Sequence, residues 1–311
     1  KDDERKGLEG QCIIKNGKYY YLIYAAGDCC GRGCSYEVKV ARSTSLQSSF
    51  EKLPKTILSA GEIWKCTGHG TVVNTPNGRQ FYLYHAYNQK ENVYTGRQGM
   101  LAELFFDQQT QWPYFKTNTL KIAPNGKKFE DNFSKSTIAD QWQWDVSAPK
   151  PNMSLNQGNL ILSGTTSEEA GTVLTVRPEQ GNFTFSTMIN NVNDALKGLT
   201  YYGDDKNCIG VGIKGTDVSV WQIKDGKKNT LKTMPVTQAD QLSLQMTVKD
   251  GYLCKFFYKE TNGNLKELKT STEFLDASFL PRWDRSARPG LMQQGASNDP
   301  ATFANFEIDY Q

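Results

Sequence analysis

A two-residue rhythm narrows the fold of this chain more than any other feature of its sequence. Runs such as KYYYLIYAA, YEVKVARS, QFYLYHAY and GMLAELFF in the first half alternate side chains as a pleated strand does. GNLILSG, NFTFSTMI, DVSVWQI and QLSLQMTVKD do the same in the second half. These runs are rich in β-branched and aromatic residues, and helical periodicity is almost absent. Turn signals such as KNGK, TPNGRQ, KDGK and TNGN separate them and read as hairpin connections. Both halves are therefore expected to be all-β, and the many antiparallel strands of the second point to a sandwich or jelly roll. The rhythm breaks in KIAPNGKKFEDNF, where Pro, Gly and Lys interrupt it, so the sequence divides into residues 1–127 and 128–311.

The first half repeats itself weakly. CIIKNGKYYYLIYAA followed by YEVKVARS, and TVVNTPNGRQFYLYHAY followed by RQGMLAEL, share the order of polar lead, NG turn, aromatic strand, loop and strand. Each copy spans roughly the 40–50 residues of one four-stranded propeller blade. Two blades cannot close a ring, and their open edges would invite aggregation. The expectation is that a second polypeptide supplies the other blades, or that the chain is a nicked or truncated piece of a larger enzyme. Residue 1 is Lys, and KDDERK reads as an exposed, cleavable loop.

Charge and composition exclude several functions. The 36 basic and 33 acidic residues are interspersed, giving a net charge of +3 without the basic stripe that nucleic-acid binding needs. Apolar runs fall far short of the roughly 20 residues of a membrane helix, and no signal peptide is present. Seven cysteines, Cys12, Cys29, Cys30, Cys34, Cys66, Cys208 and Cys254, are too few and too scattered for a disulfide-built domain. The DCCGRGC cluster leaves three readings open: a loop disulfide, plain thiols, or a metal site completed by Cys66 and His69. Zinc needs about four converging ligands, and the second pair lies on what reads as another strand.

LEG followed by KNGKYYYLIY and VARSTSL, then TGHGTVVNTPNGRQFYLYHAY, GRQGMLAEL and WPYF, is similar in order and spacing to the closing blades of family-43 glycoside hydrolases. That family comprises β-xylosidases, α-L-arabinofuranosidases and arabinanases built on a five-bladed propeller. FEDNFS, WQW, GLTYYGDDKNCIGVGI, VWQIKDGK and RPGL resemble the concanavalin-like sandwich that follows the propeller in β-xylosidase-type members. The resemblance implies a partial five-bladed β-propeller followed by a concanavalin-like β-sandwich. It also implies an inverting glycosidase that removes terminal xylose or arabinose from hemicellulose-type glycans.

Inversion needs one carboxyl group that donates a proton to the leaving oxygen, and an opposed carboxylate, about 6.5–9.5 Å away, that activates water. By the resemblance Glu9 is the general acid of an E-G-P motif, although Gln11 stands here in place of the proline. His69, in GHGT, corresponds to the axial histidine beneath the sugar and is placed to touch a cation through water. Arg97, in GRQG, corresponds to a substrate-pocket arginine, whose planar fork suits hydroxyls or a carboxylate. Trp64 could line the cleft.

The catalytic base belongs to earlier blades. Glu62, Glu91 and Glu103 fall where the family shows none, so the 311-residue chain is expected to be inactive alone. No cofactor is required, a structural calcium is allowed, and a periplasmic or secreted location is implied. His85 reads as structural, Trp142 and Trp144 as a same-face pair in the sandwich core, and YYGDDKN as an ordinary hairpin. The alternative is a non-catalytic carbohydrate-binding or scaffolding module built on the sandwich. Keeping an acid, an axial histidine and a pocket arginine together argues for the enzyme.

Overall fold

The computed structural model describes residues 4, 7–31, 33–89, 93–117, 128–164, 169–280 and 286–311. Glu91 and the boundary stretch 118–127 lie outside them. The chain separates into two compact units, Lys1–Pro124 and Asn125–Gln311.

In the first unit, β1 (Leu8–Asn16), β2 (Tyr19–Ala26), β3 (Glu37–Ser43) and β4 (Glu51–Lys52) form one four-stranded sheet in sequence order. A second sheet of the same order holds β5 (Trp64–Asn74), β6 (Gln80–Asn88), β7 (Gln98–Phe106) and β8 (Pro113–Lys116). Every pairing is antiparallel. This is the blade meander that the internal repeat signals, and the two sheets do not close a ring. The β1–β2 turn is tight because Gly17 takes φ +58°, which suits the sheet twist and would strain any other residue. Tyr21, Ile23, Val38 and Val40 of the first sheet pack with Tyr82, Tyr84, Ala86, Ala102 and Leu104 of the second. Each large side chain buried there contributes about 1.5–3 kcal/mol.

One set of polar contacts reaches from the first sheet to the loop between β7 and β8, and another secures the first sheet itself. Arg42 on β3 donates from Nη1 to the Thr110 carbonyl oxygen at 2.6 Å, and its guanidinium lies 3.9 Å from the centre of the Trp112 ring. Glu4, which is buried, accepts from Tyr24 Oη at 2.6 Å and from Lys52 Nζ.

The second unit has two antiparallel sheets. A seven-stranded sheet runs in the order Trp142–Gln143, Thr172–Val176, Arg288–Gln294, Leu196–Asp204, Asn207–Lys214, Asp217–Lys224 and Lys227–Pro235. A nine-stranded sheet is built around Ala301–Tyr310, Phe183–Ile189, Leu242–Lys249 and Leu253–Lys259. Phe183, Phe185, Leu244, Met246, Phe303 and Phe306 of the nine-stranded sheet share one core with Leu174, Leu199, Tyr201, Val211 and Leu291 of the other. Phe183–Ile189 and Leu242–Lys249 alternate buried and half-buried residues, as the two-residue rhythm requires. Leu196–Asp204 is instead buried on both faces over its first seven residues. Its outer face meets a second apolar cluster that includes Leu196, Tyr202, Cys208, Trp221 and Met292.

Asp131 organises the start of this unit. Its carboxylate accepts from the Phe133 and Ala139 amides, both at 3.0 Å, and from Trp142 Nε1 at 2.9 Å. Trp142 is accordingly in the core. The strand ends at Gln143, so Trp144 is not a second residue of that strand; it is half-buried and still packs against the same core, which corrects the expected same-face pair but not its place beside the core. YYGDDKN is the tight hairpin foreseen, with Asp204 Oδ1 accepting from the Lys206 amide at 3.0 Å.

Candidate active site

Glu9 and His69 sit on two irregularities that face each other. β1 loses register between Glu9 and Cys12, where Gly10 takes φ +62°. β5 loses register on both sides of Gly68, with Cys66 at φ 56° and His69 at φ 50°. Bulges bend a strand and re-aim its side chains, and a left-handed histidine persists only where its surroundings hold it. The close approach of β1 supplies that hold. A Cβ on Gly10 would stand 2.7 Å from His69 Cα and 2.8 Å from its Cγ, so no side chain fits there. Two residues further along, the Val72 amide donates to Cys12 Sγ at 3.4 Å.

The glycines of GHG serve packing rather than backbone conformation. Neither takes the left-handed conformation, which falls on His69 itself. A Cβ on Gly68 would lie 2.6 Å from Tyr36 Cδ1, and one on Gly70 would lie 2.4 Å from the Leu83 carbonyl oxygen. The Gly70 amide also donates to Tyr82 Oη at 2.9 Å. Both glycines are there because aromatic side chains and backbone press against β5.

Tyr36 is the residue that sequence reasoning missed. It is 2% exposed, and its hydroxyl donates to Glu9 Oε1 at 2.9 Å. Among the described residues Glu9 Oε2 takes no hydrogen bond, and Glu9 is exposed, so one oxygen is anchored and the other is open. Burial first, and then the Glu9 carboxylate beside it, pushes the Tyr36 phenol well above the usual tyrosine range, while the Arg97 charge pulls the other way. Tyr36 therefore stays a donor across all working pH.

His85, expected to be structural, also joins the group. Its ring stacks on Tyr36 with centroids 5.8 Å apart and 6° between planes, and lies 6.2 Å from the His69 ring. Both ring nitrogens of His85 are shielded from solvent. No motif marked Tyr36 or His85, because the cluster forms only when β3, β5 and β6 meet. Arg97, half-buried just before β7, donates from Nη2 to Cys30 Sγ at 3.0 Å. Trp64, at the start of β5, is half-buried against the core between the two sheets.

The cysteine cluster resolves into disulfides. Cys29 joins Cys30, and Cys34 joins Cys66. The second bond fastens the β2–β3 loop to β5, two residues from Tyr36 on one side and from Gly68 on the other. Cys66 is thereby unavailable to a metal. Among the described residues no three His, Cys, Asp or Glu side chains converge.

The other carboxylates weighed as bases are engaged or remote. Glu62 is exposed on a turn. Glu103 is held by Arg79 through two bonds of 2.6 and 2.7 Å, which keep its carboxyl below the usual range.

Comparison with known proteins identifies the two parts of the chain. Residues 1–113 match the model of glycosyl hydrolases family 43, and residues 130–309 match that of the β-xylosidase C-terminal concanavalin A-like domain. Arabinan endo-1,5-alpha-L-arabinosidase A of Aspergillus aculeatus is 31% identical over 121 residues, 34% of this chain and 37% of that protein. The solved GH43 protein BlXynB of Bacillus licheniformis aligns with 99% of this chain and 66% of its own, with a TM-score of 0.78 and 21% identity. Xylan beta-1,4-xylosidase of Bacillus halodurans C-125 gives a TM-score of 0.75 at 19% identity, covering 98% of this chain and 65% of that one. The chain thus spans about two-thirds of these two solved structures and little more than a third of the arabinanase. Two blade-like sheets and a two-sheet sandwich, each under its own family model, place the chain in family 43 of the glycosyl hydrolases, with the concanavalin A-like domain of the β-xylosidase type.

Proposed function

We propose that this chain is the portion of an inverting pentosidase that carries the general acid, and that the complete enzyme removes terminal xylose or arabinose from hemicellulose-type glycans. The observation that carries the reading is the Glu9 carboxylate, with Oε1 bonded to the buried Tyr36 and Oε2 open beside the facing bulge of His69. An anchored but accessible carboxyl group is what proton donation to a leaving oxygen requires.

In this reading Glu9 donates the proton to the glycosidic oxygen as the bond to the anomeric carbon breaks. A water molecule attacks the opposite face, deprotonated by a carboxylate outside this sequence. His69, exposed and without a hydrogen bond among the described residues, meets the sugar from below. Arg97 holds hydroxyls from the side of the β2–β3 loop. The step needs no cofactor. The enzyme acts outside the cytoplasm, in the periplasm or after secretion, which suits the two disulfides.

The partial match to the xylosidase-type structures supports a base contributed by another segment or by a second polypeptide. The test has two arms. Purified 311-residue chain, shown by mass to be free of other polypeptides, is expected to be inactive on aryl β-xylosides and α-L-arabinofuranosides. The complete enzyme is expected to release the inverted anomer, followed by proton NMR. Turnover by the chain alone that is lost on mutating Glu62 or Glu103, or release of the retained anomer, would refute the assignment.

A further inference from the structure

The sandwich has a groove of its own, formed wholly by residues of the second unit. It encloses about 590 Å³, and its wall includes Gln143, Trp144, Asp145, Tyr202, Asp204 and Arg288. That volume lies within the range of small-molecule sites, about 300–1,000 Å³. From this lining we infer that the groove is a second glycan-binding site, which takes a neutral oligosaccharide independently of the blades.

Three observations support it. The first is an orphan donor. Arg288 Nε is buried and, among the described residues, has no hydrogen-bond partner, although it stands at the groove wall. Arg288 as a whole is half-buried, so the part of its guanidinium that is open to the groove can donate to a ligand oxygen.

The second is a displaced tryptophan. Trp144 stands just beyond the strand that ends at Gln143, and its half-buried indole packs against the core on one side and forms part of the groove wall. The Lys150 ammonium stands 5.6 Å from the indole ring centre. The exposed part of such a ring offers the flat apolar surface on which the C–H face of a sugar packs.

The third is the charge balance, which selects the ligand class. Arg288 and the neighbouring Arg177, whose guanidinium is held below its usual range by burial and by the Arg288 charge, would repel a cation. Asp145 and Asp204 would repel an anion. Asp145 is fixed by the Ser147 amide at 2.9 Å and by the Tyr202 hydroxyl at 3.3 Å, so it presents acceptor oxygens in a set direction. A donor, Arg288, and two acceptors, Asp145 and Asp204, thus share a wall with aromatic rings, and a ligand that can use both without carrying charge is a polyol ring.

The choice of pentose probes rests on the proposed function, but the site does not. The experiment is a calorimetric titration of the 311-residue chain with xylohexaose and with arabinohexaose, alongside tryptophan fluorescence. Saturable binding of at least one probe, with a Kd of about 1 mM or tighter, is expected. Trp144→Ala and Arg288→Gln should each weaken it about 10-fold. Gln143 is exposed and outside the core, so Gln143→Ala keeps the test decisive should Arg288→Gln fail to fold, and is expected to weaken binding about 3-fold. No saturation by about 10 mM, binding lost in His69→Ala but kept in Trp144→Ala, or preference for trigalacturonate over both probes would overturn the inference. Turnover of either probe by the chain alone, with this binding intact, would count against the catalytic reading alone.

Discussion

Replacing Gly10 with alanine tests whether the two facing bulges are one device. At Gly10 the backbone is left-handed, which costs an L-residue about 1–2 kcal/mol. The new methyl would also be driven to 2.7 Å from His69 Cα and 2.8 Å from Cγ. Neither atom can step aside, because one is backbone and the other begins a ring whose own φ is already left-handed. Overpacking of this kind costs a further 1–3 kcal/mol, roughly. Gly17 is the internal control. It has nearly the same φ, +58°, but a methyl there would meet nothing within 4 Å, so Gly17→Ala carries the backbone cost alone. Hydrogen exchange read by mass spectrometry on peptides from β1 and β5 isolates this unit from the sandwich. Gly10→Ala is expected to lower protection there by about 2 kcal/mol more than Gly17→Ala, roughly 30-fold. Equal losses in the two variants would show that β1 does not press on His69.

Three further outcomes follow from other parts of the molecule. Asp131→Ala strands three buried N–H donors and is expected to destabilise the sandwich by about 3–5 kcal/mol in calorimetry; a change under about 1 kcal/mol would contradict the role given to its carboxylate. Cys34→Ser with Cys66→Ser opens a link across 32 positions and is expected to cost the first unit about 2–4 kcal/mol, visible as faster exchange in β5; unchanged exchange would mean that the loop needs no fastening. Burial lowers the Lys197 ammonium to about 8, so between that pH and the ordinary lysine value the unfolded chain binds more protons than the folded one. Stability of the sandwich should therefore rise with pH through that window, and Lys197→Met should remove the rise in denaturant titrations taken from pH 7 to 10.

What was legible in the sequence was whatever depends on neighbours along the chain. The NG turn at Gly17, the alternation of Phe183–Ile189 and the four-strand meander of each blade are local patterns, and the structure contains them. What failed depends on meetings across strands. Four cysteines close together in space could not be paired from spacing, because Cys34 reaches Cys66 only when the β2–β3 loop lies over β5. Tyr36 looks like any strand aromatic until Gly68 and Glu9 are brought to it from two other strands. The GHG glycines make room for Tyr36 and for Tyr82, ring contacts that no stretch of sequence displays. Trp144 read as the partner of Trp142 because period-2 logic assumes a strand that continues, and this strand stops at Gln143.

The most direct test of the central claim is the leaving-group dependence of the complete enzyme with Glu9→Ala. General-acid assistance matters most when the departing alcohol is a poor leaving group and little when it is an acidic phenol. The variant is expected to lose about 10²–10⁴-fold in kcat on oligosaccharides and alkyl glycosides, and far less on a dinitrophenyl glycoside of the same sugar. Equal losses on both substrates would remove Glu9 from the role of proton donor.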